Sequence, residues 1–190
     1  MIPPGFALEA FGNAIFLSIF SAWGDAIRIL IMMYNNPATS GVDMSPELLV
    51  RMFETIENLT MVKGCPGDLS RMQRVDRLSG GGLPLYDGIN PLVLDAPQAG
   101  ATVWCTAGPC LRPQPCINLC GAVRASELPR AQAIYAELKR MLEFAVGAGR
   151  SPRRRPAWGL LGVGVGELSR PLPPLDDEGR AALKKLLTYA

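Results

Sequence analysis

Apolar residues at Phe6, Leu8, Phe11, Ile15, Phe16, Ile19 and Phe20 recur at helical spacing and predict a helix with a wide apolar face over residues 5–24. Arg28-Ile29-Leu30-Ile31-Met32-Met33-Tyr34 is then a near-continuous apolar run closed by Asn35-Asn36-Pro37. Such a run predicts a fully buried parallel strand ending in a loop. Ser45-Pro46-Glu47 supplies an N-cap and an N1 proline, and Leu48, Leu49, Met52, Phe53 and Ile56 follow as a helical stripe. Leu59 to Lys63 reads as a second buried strand, stopped by Gly64. The alternation continues with a helix from Asp68 to Leu78, a strand from Leu83 to Tyr86, a helix from Asn90 to Ala99 weakened at Pro97, and a strand from Ala101 to Thr106. Two helices, Pro113–Val123 and Pro129–Val146, come after it. Residues 28–106 thus repeat strand, loop and helix at about twenty-residue spacing, which is the βα pattern of a parallel sheet or barrel.

The pattern breaks at residues 147–175, where GAGRSPRRRPAWG and a Pro-rich stretch have poor helix propensity. Asp176-Asp177-Glu178 opens a last amphipathic helix to about Leu187, with Lys184 and Lys185 later, as the helix dipole favours. Four segments are expected: a partial barrel over 1–106, C-terminal helices over 107–146, an irregular segment over 147–175, and a terminal helix over 176–190.

Length limits this picture. A complete (β/α)8 barrel needs roughly 250 residues, and the chain has 190. Net charge is +2, which gives no global case for nucleic acid or an anionic membrane. Arg153-Arg154-Arg155 has no aromatic platform beside it and reads as a solvated basic loop. The amino terminus lacks a basic n-region and its apolar stretch is broken by Glu9, Gly12 and Asn13, so neither a secretory signal nor a membrane span is expected. Five cysteines without a CxxC pair suggest reduced thiols in a cytoplasmic protein. Histidine is absent, so proton transfer must use Lys, Tyr, Cys, Asp or Glu.

Lys63 ends an apolar strand, where a barrel's C-terminal face puts catalytic side chains. Desolvation there would free its amine to attack a carbonyl; the alternative is an exposed lysine at a strand end. Tyr34 ends the preceding strand, either to shuttle a proton beside Lys63 or to pack under a loop. Thr39, Gly88, Asn90 and Cys105 fall at strand ends or in the loops after them, and each alone is unspecific.

Taken in order, Tyr34-Asn35-Asn36-Pro37, Gly41, Met61-Val62-Lys63, Gly67-Asp68, Tyr86-Asp87-Gly88, Gly100-Ala101 and Trp104-Cys105 resemble the dihydrodipicolinate synthase/N-acetylneuraminate lyase family. The resemblance covers about residues 10–147 and resumes at 159–188. It implies an α/β fold, the C-terminal half of a (β/α)8 TIM barrel with extra C-terminal helices, and class I aldolase-type chemistry on 2-oxo acids such as pyruvate. Lys63 would be the Schiff-base lysine and Tyr34 the proton relay. Cys105 would match a strand-end position whose carbonyl lies near the lysine, and Gly88 and Asn90 the loop that contacts the substrate tail. No metal or organic cofactor is implied, because the iminium is the electron sink.

Three departures refine the expectation. Thr39 stands where dihydrodipicolinate synthases proper carry an arginine, which turns the resemblance toward relatives acting on sugar-acid or hydroxyproline-derived 2-oxo acids. Gly64 stands where the family has a glutamate after the lysine. The first four βα units, with the carboxylate-binding motif, are expected to be missing. A half-barrel would leave Ile29, Ile31, Met33, Val62 or their neighbours partly wet, so a homo-oligomer that rebuilds a closed sheet is expected, and the alternative to a lyase is an inactive fragment or assembly partner of a full-length homologue.

Overall fold

A computed structural model describes residues 13–64, 67–146 and 176–188, with single positions at 159, 162 and 166. Phe6, Leu8, Phe11, Cys65, Arg153–Arg155 and nearly all of the 147–175 segment lie outside the described residues.

The chain divides into two compact units, Met1–Thr106 and Ala107–Ala190. The first contains α1 (Asn13–Ala26), β1 (Ile31–Asn35), α2 (Pro37–Ser40), α3 (Pro46–Thr55), β2 (Leu59–Gly64), α4 (Leu69–Leu78), β3 (Leu85–Asp87) and β4 (Ala101–Trp104). The strands form one parallel sheet in the order β1-β2-β3-β4, each reached from the last by a crossover. The fold class is α/β.

Local chemistry sets the helices that cover this sheet. The Ser45 hydroxyl accepts the Leu48 N–H at 3.2 Å, and Pro46 follows at the first helical position. Asp68 caps α4 by accepting the Ser70 N–H at 2.9 Å. The buried stripes of these helices, Leu48, Leu49 and Met52 on α3 and Met72 and Val75 on α4, join Met33, Leu59, Val62 and Leu85 of the sheet in one core.

Strand alternation assigns the other face. Met33 and Val62, expected to be wet, are buried against the helices. The half-exposed positions are instead Met32, Tyr34, Met61, Lys63, Tyr86 and Val103. A run apolar on both sides carries no parity, and the core-facing set is decided by packing under the covering helices, α1 included through Phe16 and Phe20.

Several elements also differ from expectation, among them β3, which runs Leu85–Asp87 where Leu83 to Tyr86 was expected. Strand β1 starts at Ile31, not Arg28, and Ile29 and Leu30 are 71% and 66% exposed. The Asn58 amide donates to the carbonyls of Ile27 (2.9 Å) and Ile29 (3.2 Å), holding that approach segment outside the ladder. Residues 90–99 form two short 3-10 turns, Asn90–Leu92 and Ala96–Ala99, instead of a helix. Pro91 and Pro97 each sit near the start of a turn and cannot donate to an α-helical ladder. The last strand stops at Trp104, short of Thr106.

The second unit contains α5 (Pro113–Arg124), α6 (Leu128–Val146) and α7 (Asp177–Thr188). The α5 helix packs on α6, and α6 on α7, around Leu119, Ala131, Leu138, Leu142 and Leu183. Burial pushes the Cys116 thiol up to about 11 and also raises Cys120. Among the described residues, Cys105, Cys110, Cys116 and Cys120 are free thiols, and no helix is long and apolar enough to cross a membrane.

Candidate active site

The parallel register aligns one residue from each strand near its carboxyl end: Tyr34 beside Lys63, Lys63 beside Tyr86, and Tyr86 beside Val103. All four belong to the face turned from the helices. The Lys63 Nζ lies over the Tyr34 ring, 4.6 Å from its centroid. A cation over the face of a phenol is held by the ring quadrupole. The amine of one strand and the phenol of the next are thus neighbours, as a nucleophile and a proton-transfer group must be.

The phenolic oxygen is itself engaged. The Asn36 Nδ2 donates to the Tyr34 Oη at 3.0 Å. Behind it, Asn35 is 2% exposed. Its Nδ2 donates to Asp43 Oδ1 (2.9 Å) and the Met44 carbonyl (3.3 Å), and its Oδ1 accepts the Met44 N–H (3.2 Å). Arg71 of α4 also donates to Asp43 Oδ1 and to the Met44 carbonyl. This lattice fixes the end of β1 and the chain just after it, where Tyr34 and Asn36 stand.

The loops after β3 and β4 are tied in the same way. Gly88 donates its N–H to the Gly64 carbonyl at 3.1 Å, and Cys105 donates to the Asp87 carbonyl at 2.7 Å. Asn90 is buried, and its Oδ1 accepts from the Thr106 hydroxyl. Gly88, Asn90 and Cys105 therefore belong to one connected rim. Thr39 lies in α2, exposed, with its N–H bonded to the Asn36 carbonyl.

Asp87 was not among the candidate site residues, although Tyr86-Asp87-Gly88 is part of the family pattern. It is 1% exposed, its Oδ1 accepts the Ile89 N–H at 2.9 Å, and among the described residues its Oδ2 is buried without a partner. Burial raises this carboxyl to about 6, against the opposing pulls of the Ile89 N–H and the Lys63 ammonium. Alternation from the core residue Leu85 was the available signal, because it sends Asp87 to the same inner side.

A cavity of about 30 Å³ lies between the sheet and α3 and α4, lined by Asn35, Val62, Gly64, Arg71, Met72 and Leu85 among others. It holds one or two waters at most and is too small for a 2-oxo acid. The Lys63 row is open instead. Among the described residues, no group of three or more His, Cys, Asp or Glu side chains could hold a metal ion.

The sequence profile of the Dihydrodipicolinate synthetase family matches residues 26–190. The chain belongs to that family. It is 27% identical over 170 residues to the 4-hydroxy-tetrahydrodipicolinate synthase of Methanothrix thermoacetophila, a match that takes in 89% of this chain and 57% of that protein. A Pseudomonas aeruginosa crystal structure named for dihydrodipicolinate synthetase is 38% identical, with a TM-score of 0.88 over 94% of this chain and 62% of that one. The fold also superposes on YagE, a prophage protein of the family from E. coli K12 solved in complex with pyruvate. That match has 21% identity and a TM-score of 0.85, over 97% of this chain and 63% of YagE. The chain therefore spans about three fifths of these family members, and its four parallel strands match part of their fold.

Proposed function

We propose that this chain carries the imine-forming part of a class I aldolase-type lyase site for a 2-oxo acid. What supports the reading is the 4.6 Å approach of the Lys63 Nζ to the Tyr34 ring, at the carboxyl ends of two neighbouring parallel strands. In this reading the Lys63 amine adds to the ketone carbon, water leaves, and the resulting iminium accepts the electron pair when the adjacent bond breaks. Tyr34 relays the proton, and the Gly88–Asn90 loop with Cys105 borders the substrate. The iminium serves as electron sink, so the reading requires no metal or organic cofactor.

The four strands are read as the fifth to eighth of the family barrel. The loop that grips the 2-oxo-acid carboxylate then belongs to units outside this sequence. Thr39, in place of an arginine, directs the substrate toward sugar-acid or hydroxyproline-derived 2-oxo acids. The setting is read as cytoplasmic, with no nucleic-acid or membrane partner.

The second reading is an inactive fragment or an assembly partner of a full-length homologue. The observation favouring it is the half-exposed Met32, Met61 and Val103 face, together with exposed Ile27, Ile29 and Leu30 next to edge strand β1. Closing a barrel needs more strands than the four among the described residues. A homo-oligomer would supply them from a second copy.

Incubation with pyruvate and borohydride, followed by intact-mass spectrometry with Lys63→Ala in parallel, tests the first reading. A single reduced adduct lost in the variant is expected. An unmodified chain would leave the second reading, and gel filtration with a full-length homologue would then look for the complex.

A further inference from the structure

We propose that Asn36 is a positioning residue for Tyr34, its side-chain amide donating to the phenolic oxygen and orienting the hydroxyl for proton transfer beside Lys63. The proton-transfer part rests on the lyase reading above; the hydrogen bond and its polarity do not.

Asn36 occupies the N-cap of α2, with φ −134° and ψ 79°. An asparagine there ordinarily turns its side chain onto the N–H groups two or three residues ahead. In this chain it makes no side-chain cap bond. Its backbone carbonyl does that work, accepting the Thr39 and Ser40 N–H groups at 3.0 Å and the Ser40 hydroxyl at 3.0 Å. Pro37 follows as the first helical residue, with no N–H to satisfy. The amide is thereby released from capping and donates back across two residues to Tyr34 Oη at 3.0 Å. Asn35 anchors the backbone at the intervening position through Asp43 and Met44. The ring of Tyr34 is then held at its face by Lys63 and at its oxygen by Asn36.

The polarity of this bond has a chemical consequence. A donor to the phenolic oxygen favours the ionised form over the neutral one. It also leaves the phenol's own proton to be given elsewhere, as a relay requires. An amide turned the other way would accept that proton and hold it.

The test is a spectrophotometric titration of tyrosinate in the unsubstituted chain, Asn36→Leu and Asn36→Asp, with Tyr34→Phe identifying the signal of Tyr34. Loss of one neutral hydrogen bond predicts that the Tyr34 midpoint rises by about half to one pH unit in Asn36→Leu. It should rise further in Asn36→Asp, whose carboxylate can only accept. Circular dichroism identifies any variant that does not fold, and Asn36→Ser, smaller and still polar, then replaces it with a smaller rise expected. An unchanged midpoint overturns the proposal, and a lowered one assigns the opposite polarity and overturns it too. The trapping reaction reads the role separately: Asn36→Leu should keep the Lys63 adduct while slowing exchange of pyruvate methyl protons. If the unsubstituted chain forms no adduct, the lyase reading falls, and the titration still decides the bond between Asn36 and Tyr34.

Discussion

The Lys63 Nζ stands 4.6 Å from the centre of the Tyr34 ring, across a register in which the two residues are direct partners on parallel strands. Ring and hydroxyl have separable duties in this arrangement. Tyr34→Phe keeps the ring and its attraction for the ammonium, so the borohydride-trapped adduct should still form at Lys63. Proton exchange at the carbon next to the imine should fall by roughly 10²-fold, the scale of one general acid–base group. Tyr34→Leu removes the ring as well, and trapping itself should weaken. Intact mass and deuterium incorporation into pyruvate measure the two effects. Equal exchange in the unsubstituted and Phe chains would remove Tyr34 from the relay.

Asp87 gives a prediction in which pH decides the outcome. Its carboxyl is raised to about 6 by burial, whereas an unfolded aspartate releases its proton near ~3.9. Between those values the folded chain binds more protons than the unfolded one. Stability from this group is therefore fully present below about pH 4 and is lost as pH rises through about 6. Asp87→Asn retains an oxygen for the Ile89 N–H and removes the buried charge. It should stabilise the fold by about 1–3 kcal/mol at pH 7.5 and by close to nothing at pH 4. Urea midpoints at the two pH values measure it. A gain equal at both would mean that the carboxylate is not the cause.

Much of this architecture was legible because local chemistry and long-range packing agree. Ser45-Pro46 followed by Leu48, Leu49 and Met52 has one sensible reading, and the α3 helix runs from Pro46 to Thr55. Residues 90–99 were less legible, since an apolar segment with two prolines fits a broken helix or successive 3-10 turns, and packing chooses. Strand parity was harder still. Ile29 to Met33 is apolar throughout, so nothing in the run says that Met33 joins the helix-covered core while Met32 does not. Lys63 and Tyr34 stood out as polar groups ending apolar strands. Asn36 did not, because an asparagine before proline already has a turn to explain it, and its bond to Tyr34 Oη appears only once the cap is seen to be served by the backbone.

The lattice around Asn35 should dominate the stability of the site's rim. Asn35 is buried and makes three side-chain hydrogen bonds to Asp43 and Met44. Asn35→Leu leaves the Met44 N–H without its acceptor and should cost about 2–4 kcal/mol. By contrast, the Arg74–Glu47 pair has side chains 57% and 50% exposed. Arg74→Ala should cost less than about 1 kcal/mol. Chemical denaturation of the two variants side by side checks the ranking. A larger loss from Arg74→Ala would show that the fold depends on the surface pair instead of the buried amide.

Gly100 and Gly80 separate backbone strain from crowding. Both have positive φ, +94° and +59°. A Cβ on Gly80 would meet nothing within 4 Å, so Gly80→Ala should cost only the left-handed penalty of about 1–2 kcal/mol. A Cβ on Gly100 would stand 2.7 Å from the Asp76 Cγ and 2.8 Å from its Cβ. Gly100 ends the second 3-10 turn and leads directly into β4, while Asp76 lies on α4. The clash would therefore push a covering helix from the last strand, and Gly100→Ala should cost about 1–3 kcal/mol more than Gly80→Ala. Asp76→Ala removes the carboxyl carbon and oxygens in the way and leaves only the Cβ. In a double-mutant cycle it should restore part of the loss at Gly100 and none of the loss at Gly80. Thermal or urea unfolding of the six chains measures the coupling. Additive effects at both glycines would mean that the α4–β4 approach is looser than 2.7 Å implies.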